Sequence, residues 1–218
     1  TNYRGGSSQV GGRNRNWQSD RPLDPEVELS KEIVRILRHG KFGKMIPMDT
    51  EGYVFVVDIL KCKPFRERFP RIGLVDIQHI VESNNKKRFV MKDIDGEWKI
   101  KAAQGHSIQV ANLELTPITD ASKHPVIVHG TYWENWDWIK EQGLHRMQRS
   151  HIHFAEGLPG KVISGMRQSS QVSIYLDLEK ALNDGLKFFQ SSNKVVLTEG
   201  DIYGRIHPKY FKKVEDCR

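Results

Sequence analysis

The 218-residue chain is poor in cysteine: Cys62 and Cys217 are its only two, and they form no CxxC pair. That scarcity excludes a disulfide framework and a cysteine-based structural zinc site, and it suits a reduced, intracellular setting. Long apolar runs are missing as well. No stretch approaches the roughly 20 residues that a bilayer-spanning helix needs, and none has the pattern of a secretory signal. No membrane partner is therefore expected, and the location expected is intracellular, in cytoplasm or nucleus. Internal repeats are absent too. Acidic residues are the minority charge, 27 Asp and Glu against 34 Lys and Arg, for a formal net charge of +7. A basic surplus spread through the chain suits a polyanion, with nucleic acid first because counterion release rewards such a surface, although it would equally serve a merely soluble surface.

What the chain does contain falls into segments. Residues 1–24, "TNYRGGSSQVGGRNRNWQSDRPLD", are rich in Gly, Ser, Asn and Arg and are expected to form a disordered basic tail. In 25–115, "PEVELSKEIVRILRHG" sets Leu29, Ile33, Ile36 and Leu37 on one helical face, with Gly40 as the stop. "GYVFVVDIL" reads as a short strand, "RIGLVDIQHIVESNN" as a second amphipathic helix, and "RFVMKDIDGEWKIKAA" as a hairpin turning at Asp95-Gly96. Two or three helices followed by a hairpin resemble a winged-helix module. Residues 116–124 lie in "ELTPITDASKHP", whose prolines and polar residues suit a link between lobes. In 125–218, the strands "VIVHGTYW", "HIHFA", "QVSIYLD" and "KVVLTEG" alternate with the helices "ENWDWIKEQGL" and "LEKALNDG". The expected fold class is α+β, in two lobes.

Several short motifs carry chemistry. In "RSHIHFA", His151 and His153 stand two apart in a strand-like run and so point to one face. They suit a metal site, a base with its partner, one wall of a ligand pocket, or, taken in isolation, satisfied structural histidines, and a third zinc ligand is not evident in the sequence. "HGTYW" places His129, Gly130 and Thr131 at a strand end, where a glycine admits close backbone approach beside two hydrogen-bonding side chains; this suits a ribose or amide, or an ordinary turn. "ISGMRQSS" offers Ser164, Gly165 and Arg167 before a strand, as a phosphate site or a polar loop. "LRH" puts Arg38 and His39 at a helix end, as anion ligands or as dipole partners. "NKKRF" projects Lys86 and Arg88 to one side of an incipient strand, as a second anion site or a solvated face.

In order, "LSKEIVRILRHG", "NNKKRF", "AAQGHS", "VHGT", "RSHIHFAEGLPG", "VISGMRQSSQVSIYLD" and "SSNKVVLTEG" closely resemble the tRNA 2'-phosphotransferase family, from about Leu29 to Phe211. The resemblance implies an intracellular enzyme that consumes NAD, uses no metal, and removes the internal 2'-phosphate left at a splice junction when a tRNA ligase joins exons. It implies a winged-helix-like RNA-binding lobe over 25–115 and an ADP-ribosyltransferase-like NAD-binding lobe over 125–218. Arg38, His39, Lys86, Arg88 and Arg167 would then gather at the RNA 2'-phosphate. His129, Gly130, Thr131, His151, His153, Ser164 and Gly165 would form the NAD cleft, with His153 standing where many ADP-ribosyltransferases carry a tyrosine.

The same resemblance implies two steps. The 2'-phosphate attacks C1'' of the nicotinamide ribose and expels nicotinamide. The ribose 2''-hydroxyl then attacks phosphorus, releasing 2'-hydroxyl RNA and ADP-ribose 1'',2''-cyclic phosphate. Where many ADP-ribosyltransferases place a glutamate, "KVVLT" is apolar, although Glu199 follows shortly after. His39 and Lys86 are the candidate proton carriers of the second step. A monomer is expected. The competing readings are a transferase that modifies nucleic-acid phosphate ends and stops after one step, and a non-catalytic winged-helix RNA-binding protein.

Overall fold

The structure, a computed structural model, describes residues 24–158, 161 and 164–217, so that all of the expected disordered tail except Asp24 lies outside the described residues. Helix α1 (Pro25–His39) begins where the Asp24 carboxylate accepts the Glu26 N–H at 2.9 Å, with Pro25 in the first turn and Glu26 and Glu28 at the positive end of the helix dipole. Gly40 ends it in the left-handed conformation, its N–H donating to the Ile36 carbonyl and the Lys41 N–H donating to that of Arg35. Leu29, Ile33, Ile36 and Leu37 are buried, as their spacing predicts.

The expected strand over "GYVFVVDIL" is a correction. Only Val54–Phe55 (β1) is extended, and the chain turns into helix α2 (Val56–Lys61) and then α3 (Lys63–Arg68). Val56 and Ile59, three apart, share a helical face against the core, and this packing overrides the β preference of the valines. After α4 (Leu74–Ser83), strands β2 (Phe89–Ile94) and β3 (Glu97–Ala102) form the expected hairpin, turning at Asp95 and Gly96 with φ of 54° and 83°. Strand β3 is central in an antiparallel sheet of order β1-β3-β2. The four helices and this sheet enclose one core, with Ile33, Leu37, Ile59, Phe65, Ile77 and Ile100 inside it.

The second half contains β4 (Thr116–Ile118), β5 (Ile127–Thr131), α5 (Trp133–Gln142), β6 (Leu144–His145), β7 (Ile152–Glu156), β8 (Val172–Leu176), α6 (Leu178–Asn183), β9 (Phe188–Gln190), β10 (Val195–Thr198), β11 (Arg205–Ile206) and β12 (Phe211–Asp216). Seven of these strands form an antiparallel sheet of order β12-β8-β5-β7-β10-β9-β4. Residues 116–124, expected as a link, thus begin with the outermost strand of this sheet, where Pro117 is tolerated because an edge strand leaves one side unpaired. Its own core includes Ile127, Phe154, Ile174 and Val196. The fold is α+β. No helix among the described residues is long and apolar enough to cross a membrane.

One ionised group is buried in the first core. The Glu32 side chain is 1% exposed and ringed by Arg35 at 3.1 Å, Arg68 at 3.1 Å and Lys41. Burial alone would raise its pKa, but hydrogen bonds from Lys41 and Arg35 and the charges of Lys41 and Arg68 hold it below the ordinary 4.5. Because the folded pKa is depressed, the stabilisation is complete above the ordinary carboxylate value and is lost as pH falls through the folded value. Glu32→Gln should therefore lower the unfolding free energy at pH 7 by about 1–3 kcal/mol, limited by the partial exposure of the three cations. In denaturant titrations the gap to the wild type should close as pH falls below 4.5, and a gap that widens in acid contradicts the assignment.

Candidate active site

The site begins with an imperfection in the larger sheet. Strands β5 and β7 pair only at Ile127↔Glu156 and Val128↔Ala155. Beyond that point His129–Thr131 remains paired with β8, while Ile152–Phe154 remains paired with β10, so the sheet forks. One side chain spans the fork: His129 donates from Nδ1 to the His153 carbonyl at 2.8 Å. Since a carbonyl only accepts, the proton is on Nδ1 and Nε2 of His129 is left as an acceptor.

The segment after β7 lies across this fork because two glycines let it. A Cβ on Gly165 would fall 2.7 Å from Ala155 Cα, and one on Gly130 would fall 2.2 Å from Met166 Cγ. Gly165 also has φ of 87°, in the region that favours glycine. With the loop seated this way Arg167 stands over the Tyr132 ring, 5.9 Å from its centroid. Ser164 donates its hydroxyl to the Lys86 carbonyl at 2.8 Å, which also accepts from Asn193 Nδ2 at 3.1 Å. Those two bonds draw the "NKKRF" loop of the first half to the fork.

A second junction is formed by "QGHS". The Ser150 N–H donates to the His106 carbonyl at 3.0 Å, and the Ser107 N–H donates to the Arg38 carbonyl at 2.9 Å. Gly105 lies directly beneath the Arg38 guanidinium: a Cβ there would be 3.1 Å from its Cζ. His39 Nδ1 is 2.8 Å from Ser107 Oγ. The loop thus sets both residues of "LRH" from one side.

Between these junctions is a cleft of about 530 Å³. Arg38, Lys86, Arg88, His129, Gly130, Thr131, His151, His153, Ser164, Gly165 and Arg167 all line it. His39 does not; it lines an adjoining groove. The sequence reading missed Arg146, Arg149, Gln104 and Asn193, which also line the cleft. Arg149 was findable, because it stands two residues before His151 and the alternation that pairs the histidines includes it. Arg146 had no local signal.

Five arginines and Lys86 face this space, and among the described lining residues there is no Asp or Glu. Burial, then the charges of Arg88 and Arg149, push Arg38 down to about 10, and its Nε and Nη2 are buried without a hydrogen-bond partner among the described residues. Burial also lowers Arg88; burial and then Arg88 lower Lys86; burial and then Arg167 lower Arg149. Each remains cationic near neutrality. Crowded cations with unmet donors and no counter-charge describe a site completed by an anion.

The histidines behave oppositely. Burial, followed by Arg149 and Arg38, holds His153 well below its usual value, and its Nε2 is buried without a partner among the described residues. Burial pushes His129 down against the opposing effect of its bond to the His153 carbonyl, and Arg149 adds to the fall. His151 is lowered by burial and lifted in part by Glu199, which does not line the cleft. His106, with both ring nitrogens unpartnered among the described residues, is driven by burial and then Arg38 to about 4. Neutral imidazoles beside permanent cations can bind a sugar or amide and carry a proton, while the cations stabilise charge on phosphoryl oxygens. Among the described residues no group of three or more His, Cys, Asp or Glu is placed to hold a metal ion.

Comparison with known proteins identifies the family. A profile described as "RNA 2'-phosphotransferase, Tpt1 / KptA family" matches residues 24–200. The chain is 43% identical to tRNA 2'-phosphotransferase 1 of Danio rerio over 216 residues, covering 96% of this chain and 92% of that protein. It is 40% identical to tRNA 2'-phosphotransferase 1 of Homo sapiens over 224 residues, covering 100% of this chain and 87% of that protein. With the tRNA 2'-phosphotransferase of Saccharomyces cerevisiae the identity is 38% over 183 residues, covering 79% and 78%. Every cleft-lining residue falls inside the span that the profile matches, and the chain accordingly belongs to the RNA 2'-phosphotransferase, Tpt1 / KptA family.

Proposed function

We propose that this chain removes the internal 2'-phosphate from ligated tRNA splice junctions and consumes NAD in doing so. The observation that carries the reading is the convergence of Arg38, Lys86, Arg88, Arg146, Arg149 and Arg167 on a cleft with no carboxylate among its described lining residues. Residues 25–115 are the winged-helix-like lobe that brings RNA, and 125–218 the ADP-ribosyltransferase-like lobe that brings NAD, joined through 116–124. One chain supplies both walls, which supports a monomer as the acting unit.

Bound NAD supplies an electrophilic ribose carbon and nicotinamide as the leaving group. The neutral state of His129 and His153 suits a cationic nicotinamide ring, which a protonated imidazole would repel. His129 Nε2, His153 Nε2 and Thr131 are placed to hold the ribose and amide, with Gly130 permitting close approach. His151 supports them from the start of β7. The RNA 2'-phosphate is already an anionic nucleophile, so a carboxylate base is unnecessary. Its attack at C1'' breaks the bond to nicotinamide and leaves an ADP-ribosylated 2'-phosphate on the RNA.

In the second step the arginines stabilise charge building on phosphorus and hold attacking and leaving oxygens in line. The ribose 2''-hydroxyl loses its proton and bonds to phosphorus; the RNA 2'-oxygen departs and gains a proton. Lys86, on the cleft wall, and His39, oriented by Ser107 in the adjoining groove, are the candidates to move those protons. The products are 2'-hydroxyl RNA and ADP-ribose 1'',2''-cyclic phosphate.

An RNA carrying a labelled internal 2'-phosphate tests this directly. Label should leave the RNA as ADP-ribose cyclic phosphate only when NAD is present. Label retained on RNA as an adduct would show a transferase that stops after one step, and no NAD-dependent change in folded protein would favour a non-catalytic RNA binder. Arg149→Ala and Arg167→Ala should each lower kcat by on the order of 100-fold in folded protein. His153→Ala should raise the KM for NAD about tenfold while the KM for RNA holds, the signature of lost co-substrate contact. Burial, then Arg38 and Arg149, lower His39 from 6.5, so its neutral form prevails at pH 7. Activity should stay level from pH 7 downward until the lowered pKa is reached and then fall, and His39→Gln should abolish that acid limb; a limb that persists in the variant belongs to another group.

A further inference from the structure

We propose that the groove between α1 and α4, beside the cleft, receives the RNA strand that continues beyond the dinucleotide bearing the 2'-phosphate; this rests on the RNA substrate proposed above. An internal 2'-phosphate sits on a strand that continues past it, so a cleft that seats the phosphate needs an exit for the chain. The groove, about 540 Å³, shares Arg38 and Arg88 with the cleft, so these two arginines form a common wall. A strand passing between them stays beside positive charge throughout.

Along the groove α1 presents Lys31, Arg35 and Arg38, spaced by four and then three residues and so aligned on one face over ~10 Å of helix. Arg35 is held in place by the buried Glu32, which accepts from its Nη1 at 3.1 Å, while the Arg35 side chain remains 51% exposed. Val34 and Ile80 give the groove an apolar floor that suits the face of a base, and Asn84, whose Oδ1 accepts the Arg88 N–H at 3.1 Å, keeps its amide N–H groups as donors toward a base edge. Among the described residues of its lining the single acid, Glu26, lies 3.5 Å from His79. His39 belongs to this groove rather than to the cleft, and so stands where the strand would cross from one to the other.

The test compares a dinucleotide and a hexanucleotide, each with an internal 2'-phosphate, the longer one extended by unpaired residues. Affinity is measured by fluorescence anisotropy without NAD, so that binding is separated from chemistry. For Lys31→Glu the preference of the wild type for the hexanucleotide over the dinucleotide should fall about tenfold or more, and for Lys31→Gln by less. Lys31→Gln should also reduce the salt dependence of hexanucleotide binding by about one charge. An unchanged preference, equal weakening of both RNAs, or a selective loss of NAD affinity would each overturn the groove assignment. The labelled-phosphate assay on wild-type protein keeps the two proposals apart. A collapsed preference without turnover leaves the groove standing and removes the phosphotransferase reading. Turnover with an intact preference removes only the groove.

Discussion

The fork between β5 and β7 is the constraint from which the site follows. A fully zipped antiparallel sheet would seal His129–Thr131 against Ile152–Phe154. Here the two strands pair through only two residues at one end and then follow different neighbours, β8 on one side and β10 on the other. Backbone bonding stays satisfied on the outer sides, which makes the opening tolerable, and the bond from His129 Nδ1 to the His153 carbonyl restores one contact across it. That same bond decides the tautomer of His129, so one hydrogen bond both bridges the fork and leaves Nε2 as an acceptor.

Seating a loop over the fork demands an absence of side chains where backbones meet. Gly165 on β7 and Gly130 under Met166 supply it, and the consequence is that Arg167 is carried by a fixed platform rather than by a free loop. The first half is tied to that platform by the Lys86 carbonyl, held by Ser164 and Asn193, and by the His106 carbonyl, held by Ser150. These contacts are polar, local and few. They position the arginines of one half against the histidines of the other without merging the two cores.

Electrostatically the site is the reverse of Glu32. There a buried carboxylate is surrounded by three cations and finds its counter-charge within the chain. In the cleft the cations repel one another and lack a partner carboxylate among the described residues, so folding leaves an imbalance that a bound polyanion removes. The same cationic field, with burial, keeps the neighbouring imidazoles neutral. Anion affinity and neutral histidine thus have one origin.

Much of this was legible in the residues themselves. The α1 stripe with its Asp24 and Gly40 ends, the Asp95-Gly96 hairpin and the same-face placement of His151 and His153 depend on local periodicity and turn chemistry, which a chain carries in its order. The valines of "GYVFVVDIL" misled because their helix is imposed by core packing around Val56 and Ile59, not by propensity. The same holds for Thr116–Ile118, whose partner β9 lies far along the chain. By itself the sequence determined most of the elements, the family and the residue types able to bind phosphate, since each rests on near neighbours and ordered motifs. Only the tertiary structure decided that the sheet forks, that Arg146 joins the cleft, and that His39 faces an adjoining groove, because those facts depend on which distant strands pair and where two glycines let backbones touch.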